Sequence, residues 1–128
     1  MSPEIERVIY SYILLPYVLK VFKIDRLNFE ELSSPSKFVY LEKLDTVINS
    51  VQQDYNAIRK KVFSGYHVNV KYVGKENDMV QYKWYTKNDS GVIWIAVADL
   101  RDMTKELMND YLYGPLAVEV TPSNKPWC

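Results

Sequence analysis

The length, composition and charge of this sequence indicate one folded domain and exclude several classes of protein. The chain has 128 residues, of which 48% are hydrophobic and 14% aromatic, so it can form a packed core and is not expected to be disordered. Its 16 basic residues balance 16 acidic residues, so no overall charge attracts it to nucleic acid or to an anionic membrane. We therefore expect a single domain over residues 1–128.

The cysteine and hydropathy patterns favour a cytoplasmic protein. Cys128 is the only cysteine, so no disulfide can form within this chain, which suits a reducing compartment. The uncharged stretch from Val8 to Leu19 is too short to cross a membrane and lacks the basic flank and cleavage site of a secretory signal. This stretch is typical of a buried helix, and an exposed surface for self-association is the alternative.

The N-terminal segment is predicted to form a helix from Pro3 to Phe22, with Ser2 as its cap. Pro16 lies inside this helix and cannot donate a backbone hydrogen bond, so a kink or a break is expected there. A short second helix from Asn28 to Leu32 is expected, because Asn28 and Glu31 have the spacing of a capping box.

The longest predicted element is a helix from Ser34 to Phe63. Its apolar residues recur at spacings of three and four and form one continuous seam, which consists of Leu41, Leu44, Ile48, Val51, Tyr55, Ile58 and Val62. Because the seam is unbroken, we expect this helix to be the most buried of the fold. Val47 widens the seam, which favours packing against the N-terminal helix, whereas Asp54 and Arg59 would suit a parallel homodimer.

Three strands are predicted after Gly65, where the period of the sequence changes to two. Tyr66 to Tyr72 and Met79 to Tyr85 alternate apolar and polar residues, so both are half-buried strands, with Trp84 buried in the second. Val92 to Val97 is apolar on both faces, which is typical of a strand that is covered on both sides or central in its sheet. Short turns between the strands favour an antiparallel meander.

A helix from Asp99 to Tyr113 is predicted next, followed by a fourth strand from Leu116 to Val120. Gly114 and Pro115 end the helix. The chain is therefore an α+β protein in which N-terminal helices, including one long central helix, precede a β-β-β-α-β unit with a small, mostly antiparallel sheet.

Few residues of this sequence could carry out chemistry. His67 is the only histidine, no nucleophile or phosphate-loop motif is present, and four glycines are too few for a glycine-rich loop. Asp102, Glu106 and Asp110 share one helix face and could in principle hold a magnesium ion, but such a face is more often solvated. We predict no enzymatic activity, no catalytic or metal site and no cofactor.

Two surfaces remain as candidates for binding. The N-terminal helix has apolar residues nearly all round, so we expect an exposed patch for self-association at Tyr10, Ile13, Leu14 and Tyr17. The polar face of the meander is a candidate platform for single-stranded nucleic acid, formed by His67, Lys71, Gln81, Lys83 and Tyr85.

These patterns favour a non-enzymatic protein that acts through protein–protein contacts. The expected partner is a second copy of the chain in a homodimer, in a regulatory or accessory role, with no membrane contact. The first alternative is a nucleic-acid-binding regulator that uses the basic sheet face. The second is a small-ligand-binding domain or enzyme, which would need a deep polar pocket between the sheet and the helices.

Overall fold

A computed structural model describes residues 2–117 of the chain and has an α+β architecture. Two long helices come first, α1 (Pro3–Glu30) and α2 (Lys37–Lys60), and a short π-helix (Lys61–Gly65) extends α2. A three-stranded antiparallel sheet follows, and α3 (Val97–Tyr113) comes last. The predicted α+β class is confirmed, as is the order of helices, three strands and a further helix.

Helix α1 begins as predicted but continues further. The Ser2 hydroxyl accepts a hydrogen bond from the backbone N–H of Ile5 at 3.2 Å. The helix runs through Pro16 without a break and ends at Glu30, so the predicted break and the separate helix from Asn28 are both wrong, whereas a kink at Pro16 stays a prediction. The missing proline N–H removes only one backbone hydrogen bond. Because the helix continues through Pro16, the buried residues on both sides of the proline stay in the core.

Helix α1, rather than α2, is the most buried helix of the described residues. Its buried side chains are Val8, Ile9, Ile13, Leu14, Leu15, Val18, Leu19 and Phe22, whereas α2 buries only Leu44, Val47 and Val51. The prediction that the long second helix is the most buried is therefore wrong. The reason is position, because α1 contacts α2, the sheet and α3, while α2 packs mainly on α1.

The apolar seam of α2 packs within the same chain. Leu44, Val47 and Val51 form one cluster with Val18 and Phe22 of α1. The cluster also includes Tyr111 of α3, whose hydroxyl donates a hydrogen bond to the Asp54 carboxylate at 2.6 Å. Of the two arrangements considered for the seam, packing against the N-terminal helix is the one that the structure contains. The helix itself begins at Lys37, three residues later than Ser34.

The three strands form the predicted antiparallel meander in the order β1-β2-β3. Strand β2 is Met79–Tyr85, as predicted. Strand β1 is Asn69–Glu76, so it begins three residues later than predicted and continues past Tyr72, and β3 is Ser90–Ala96, which begins two residues earlier than predicted. The β1–β2 connection is a tight turn in which Asn77 and Asp78 have φ of 49° and 61°. Asparagine and aspartate tolerate this left-handed conformation better than most residues.

One face of the sheet lies against α1. Its buried residues are Val70, Val80, Tyr82, Ile93 and Ile95, which share a cluster with Val8, Ile9 and Ile13 of α1. Trp84 lies on this face as predicted, but it is half-buried rather than buried, because it stands at the end of β2 opposite Gly91. Lys83 points away from this face and is exposed, as expected.

Helix α3 begins two residues earlier than predicted and ends where expected. Ala96 is its N-cap, and Asp99 stands in the first turn, where a carboxylate is favourable near the positive end of the helix dipole. Leu100 and Tyr111 face the core. The predicted fourth strand falls on Val118 and beyond, outside the described residues.

The patch predicted for self-association is not an exposed surface. Ile13 is 3% exposed and Leu14 is 9% exposed, while Tyr10 and Tyr17 are half-buried. The Tyr17 hydroxyl is 2.6 Å from the Tyr82 hydroxyl, a hydrogen bond between α1 and the sheet. The exposure prediction is wrong because the sheet, α2 and α3 contact different sides of α1, so no residue from Val8 to Leu15 is exposed.

Candidate functional site

The sheet face that points away from α1, here called the open face, is not covered by any helix of residues 2–117. The strand pairing arranges its side chains in rows. In one row Lys71 of β1, Lys83 of β2 and Val92 of β3 lie side by side. In the next row Gln81 is paired with Trp94. The open face therefore carries basic, amide and apolar groups together.

The two lysines of the open face form a like-charged cross-strand pair. Lys71 and Lys83 are direct partners in the β1–β2 register, an arrangement that lowers sheet stability when no carboxylate compensates it. Both ammonium groups lie near the ring of Tyr85, at 5.7 Å and 5.9 Å from its centroid. The ring offsets part of the repulsion through cation–π attraction. This part of the open face is suited to a negatively charged group.

The β3 side of the open face is apolar and exposed. Val92 is 46% exposed and Trp94 is 47% exposed, whereas the alternating residues Ile93 and Ile95 are buried. A sheet that is covered on one side normally presents polar side chains on the other. The prediction that this strand is central or covered on both sides is wrong for the described residues, since β3 lies at an edge and its outer side chains face solvent.

Four of the five residues predicted for the nucleic-acid face lie together on the open face: Lys71, Gln81, Lys83 and Tyr85. His67 does not join them. It lies in the turn before β1 with a φ of 55°, and the hydrogen bond from the backbone N–H of Val68 to the Val62 carbonyl holds this turn in place. Sequence reasoning missed Trp94 and Val92, although their strand was apolar at every position.

The interior between the sheet and the helices contains little polar chemistry. Thr104 is the only buried polar residue among those described, and its hydroxyl donates to the Leu100 carbonyl at 2.7 Å. Burial and the hydrogen bond with Tyr17 raise the pKa of Tyr82 above its usual range. Residues 2–117 hold no cluster of three or more His, Cys, Asp or Glu suited to a metal ion.

Comparison with protein families gives one match. A family described as "YhjD protein" matches residues 1–116, which is most of the chain. The chain belongs to the YhjD family. The description of the YhjD family assigns no activity, and neither the curated proteins nor the solved structures gave a significant match. In the part of this YhjD family member that the structure describes, no helix has both the length and the hydropathy of a membrane span.

Proposed function

We propose that this protein is a cytoplasmic, non-enzymatic protein that acts by binding another protein through the β3 side of its open sheet face. The observation that carries the proposal is the half exposure of Val92 and Trp94 on a face that no helix of residues 2–117 covers. Exposed aromatic and aliphatic side chains that are contiguous on one surface are typical of protein interfaces. The single cysteine, Cys128, supports a reducing location.

A half-exposed tryptophan on such a surface is suited to dominate binding. Trp94 can bury a large apolar area and still donate a hydrogen bond from its indole N–H. Gln81, its cross-strand neighbour, adds an amide that can pair with a partner backbone. The lysines of the adjacent row would then form the polar rim. An apolar contact area with charged residues beside it resembles the general anatomy of protein interfaces.

A photocrosslinking experiment tests this proposal. We expect a benzoylphenylalanine introduced at Trp94 to capture a protein in the native host, and the same group at exposed Gln53 on α2 not to capture it. Val92→Glu should remove the Trp94 product, because a carboxylate would be buried at an apolar contact. Native mass measurement of the product distinguishes a second copy of the chain from a different protein. Equal capture from the two positions, or none from either, would contradict the proposal.

Binding of single-stranded nucleic acid is the second candidate function. The like-charged pair of Lys71 and Lys83 beside Tyr85 favours it, because phosphates pair with ammonium groups and bases stack on exposed rings. A fluorescent single-stranded oligonucleotide should then bind with a salt dependence of about −1.4 in log–log slope for two phosphate contacts.

The matched control for this candidate removes the same amount of positive charge from a different surface. Lys71→Gln with Lys83→Gln should lose most of the affinity and of the salt slope, whereas Lys20→Gln with Lys23→Gln on the exposed side of α1 should leave both unchanged. Fluorescence anisotropy across a range of salt concentrations measures both quantities. An equal loss in the two double variants would show that only the overall charge matters and would rule out a nucleic-acid site on the open face.

A further inference from the structure

The two edges of the sheet differ in how they are protected against further pairing. The β1 edge carries Lys71 and Lys75, and its register shifts between Tyr72 and Gly74. Lysines and bulges are devices that prevent an edge strand from pairing with another chain. The β3 edge, from Ser90 to Ala96, has no charged residue, no proline and no register shift. Within residues 2–117, β3 pairs only with β2. Among the described residues, its other edge therefore presents a regular row of backbone groups that no strand pairs with.

A cleft of about 420 Å³ runs beside this unprotected edge. Both Trp94 and Ile95 line this cleft. Because successive side chains of a strand point to opposite faces of the sheet, a cleft lined by both residues lies at the free edge of β3. The opposite wall is formed by α3, which contributes Asp99, Asp102 and Glu106. The cleft leaves room for an added strand, and side chains of that strand which point towards the helices would enter it.

The charge of the cleft indicates whether a second copy of the chain or a segment of a different protein would pair with β3. Its lining contains three carboxylates and no basic side chain. A second copy of the chain, paired edge to edge by a twofold axis, would bring its own Asp102 and Glu106 towards the same region. Like charges would then approach each other. A segment with lysine or arginine on its cleft side would instead neutralise the carboxylates.

We propose that β3 accepts an extended segment of a partner protein as a fourth strand, with basic side chains directed into the cleft and apolar side chains beside Val92 and Trp94 on the open face. This inference rests on the proposed function, since it names how that partner binds. Backbone hydrogen bonds to β3 would supply affinity that does not depend on sequence. The alternation of basic and apolar residues would supply selectivity, because successive side chains of a strand point to opposite faces.

Peptide probes test the backbone part of this inference. The full-length protein is mixed with a synthetic peptide of alternating valine and lysine, or with a control peptide of alternating valine and glutamate. Exchange of the backbone amides between Val92 and Ala96 that point away from β2 should slow markedly with the lysine peptide, while the amides of β1 should be unchanged. Exchange that is unaffected in β3, or slowed equally at both edges, would overturn the edge assignment.

A charge swap tests the cleft. The wild-type protein should bind the lysine peptide about threefold to tenfold more tightly than the glutamate peptide, because each exposed ion pair contributes modestly. Asp102→Lys with Glu106→Lys should reverse this preference. Glu31→Lys with Glu76→Lys, at exposed positions outside the cleft, changes the net charge by the same amount and is the control, which should leave the preference for the lysine peptide in place. A preference that survives the swap would show that the cleft carboxylates do not select the partner.

The outcomes separate this inference from the proposed function. One outcome is crosslinking from Trp94 to a protein while neither peptide slows the exchange of the β3 amides. It would support the binding surface of the proposed function and would overturn the addition of a fourth strand to β3. Protection of β3 that appears in the protein alone would also overturn the basic partner segment. It would assign the edge to a second copy if it grows with protein concentration, and to the predicted fourth strand of the same chain if it does not. Absence of both signals would refute the two proposals together.

Discussion

Replacing Phe22 with alanine is expected to lower the free energy of unfolding by about 3–5 kcal/mol, the largest stability loss that we predict for this chain. Phe22 is 1% exposed and is among the largest fully buried side chains of the described residues. It packs between α1 and α2 against Leu44, Val47 and Val51. Removing the ring would lose the free energy that is gained by burying it away from water. It would also leave a cavity, because the two helices cannot move together freely enough to fill the space.

The matched control is Phe38→Ala on α2. Phe38 is 46% exposed, so the same chemical change removes much less buried surface, and the loss should be less than about 1 kcal/mol. Urea denaturation followed by circular dichroism measures both variants, with the slope m compared to confirm that each remains two-state. Similar losses in the two variants would mean that the hairpin of α1 and α2 does not pack as the structure shows.

Gly91→Ala is expected to cost about 1–3 kcal/mol, because the new methyl group has no room. A Cβ at Gly91 would lie 2.5 Å from three atoms of the Trp84 indole. Gly91 and Trp84 are direct partners in the β2–β3 register, so the indole packs across the glycine. The substitution would displace the ring or separate the two strands. It should also shift the tryptophan emission spectrum, since Trp84 would become more exposed to water.

Gly65→Ala is the control for this change. The nearest atom to a Cβ at Gly65 is the Lys61 Cγ at 3.7 Å, an ordinary van der Waals contact. Its effect on the free energy of unfolding should stay within about 0.5 kcal/mol. Single-tryptophan versions that retain Trp84 make the emission measurement unambiguous. A Gly91 variant as stable as the Gly65 variant, with unchanged emission, would contradict the close packing of the indole on β3.

Local patterns were sufficient to predict most elements of this fold. Ser2 and Pro3 set the start of α1, and Gly114 marked the end of α3. The alternation from Met79 to Tyr85 predicted both the bounds of β2 and the side of the sheet that each residue faces. These features are determined by backbone geometry and by side chains a few residues apart, which is the range over which sequence periodicity carries information.

Local patterns could also place the basic residues of the open face but not its apolar part. Lys71 and Lys83 occupied polar positions of alternating strands, so their common face followed from an antiparallel pairing. The uniformly apolar run of Val92 and Trp94 predicted a covered strand, because burial on both faces is the usual reason for such a run. An apolar run shows that contact with something is favourable, and it does not show whether the contact lies within the chain.

Which surfaces are covered was decided only by the tertiary structure. Ile13 and Leu14 belong to a helix that is apolar nearly all round, and their burial depends on the sheet and α3 reaching α1 from far along the chain. Pro16 remains inside a continuous helix because the residues on both sides of it are buried together. β3 is an edge strand because of the order in which the strands pair. Each outcome is set by contacts between residues distant in sequence, whose energies exceed the local preferences that the sequence displays.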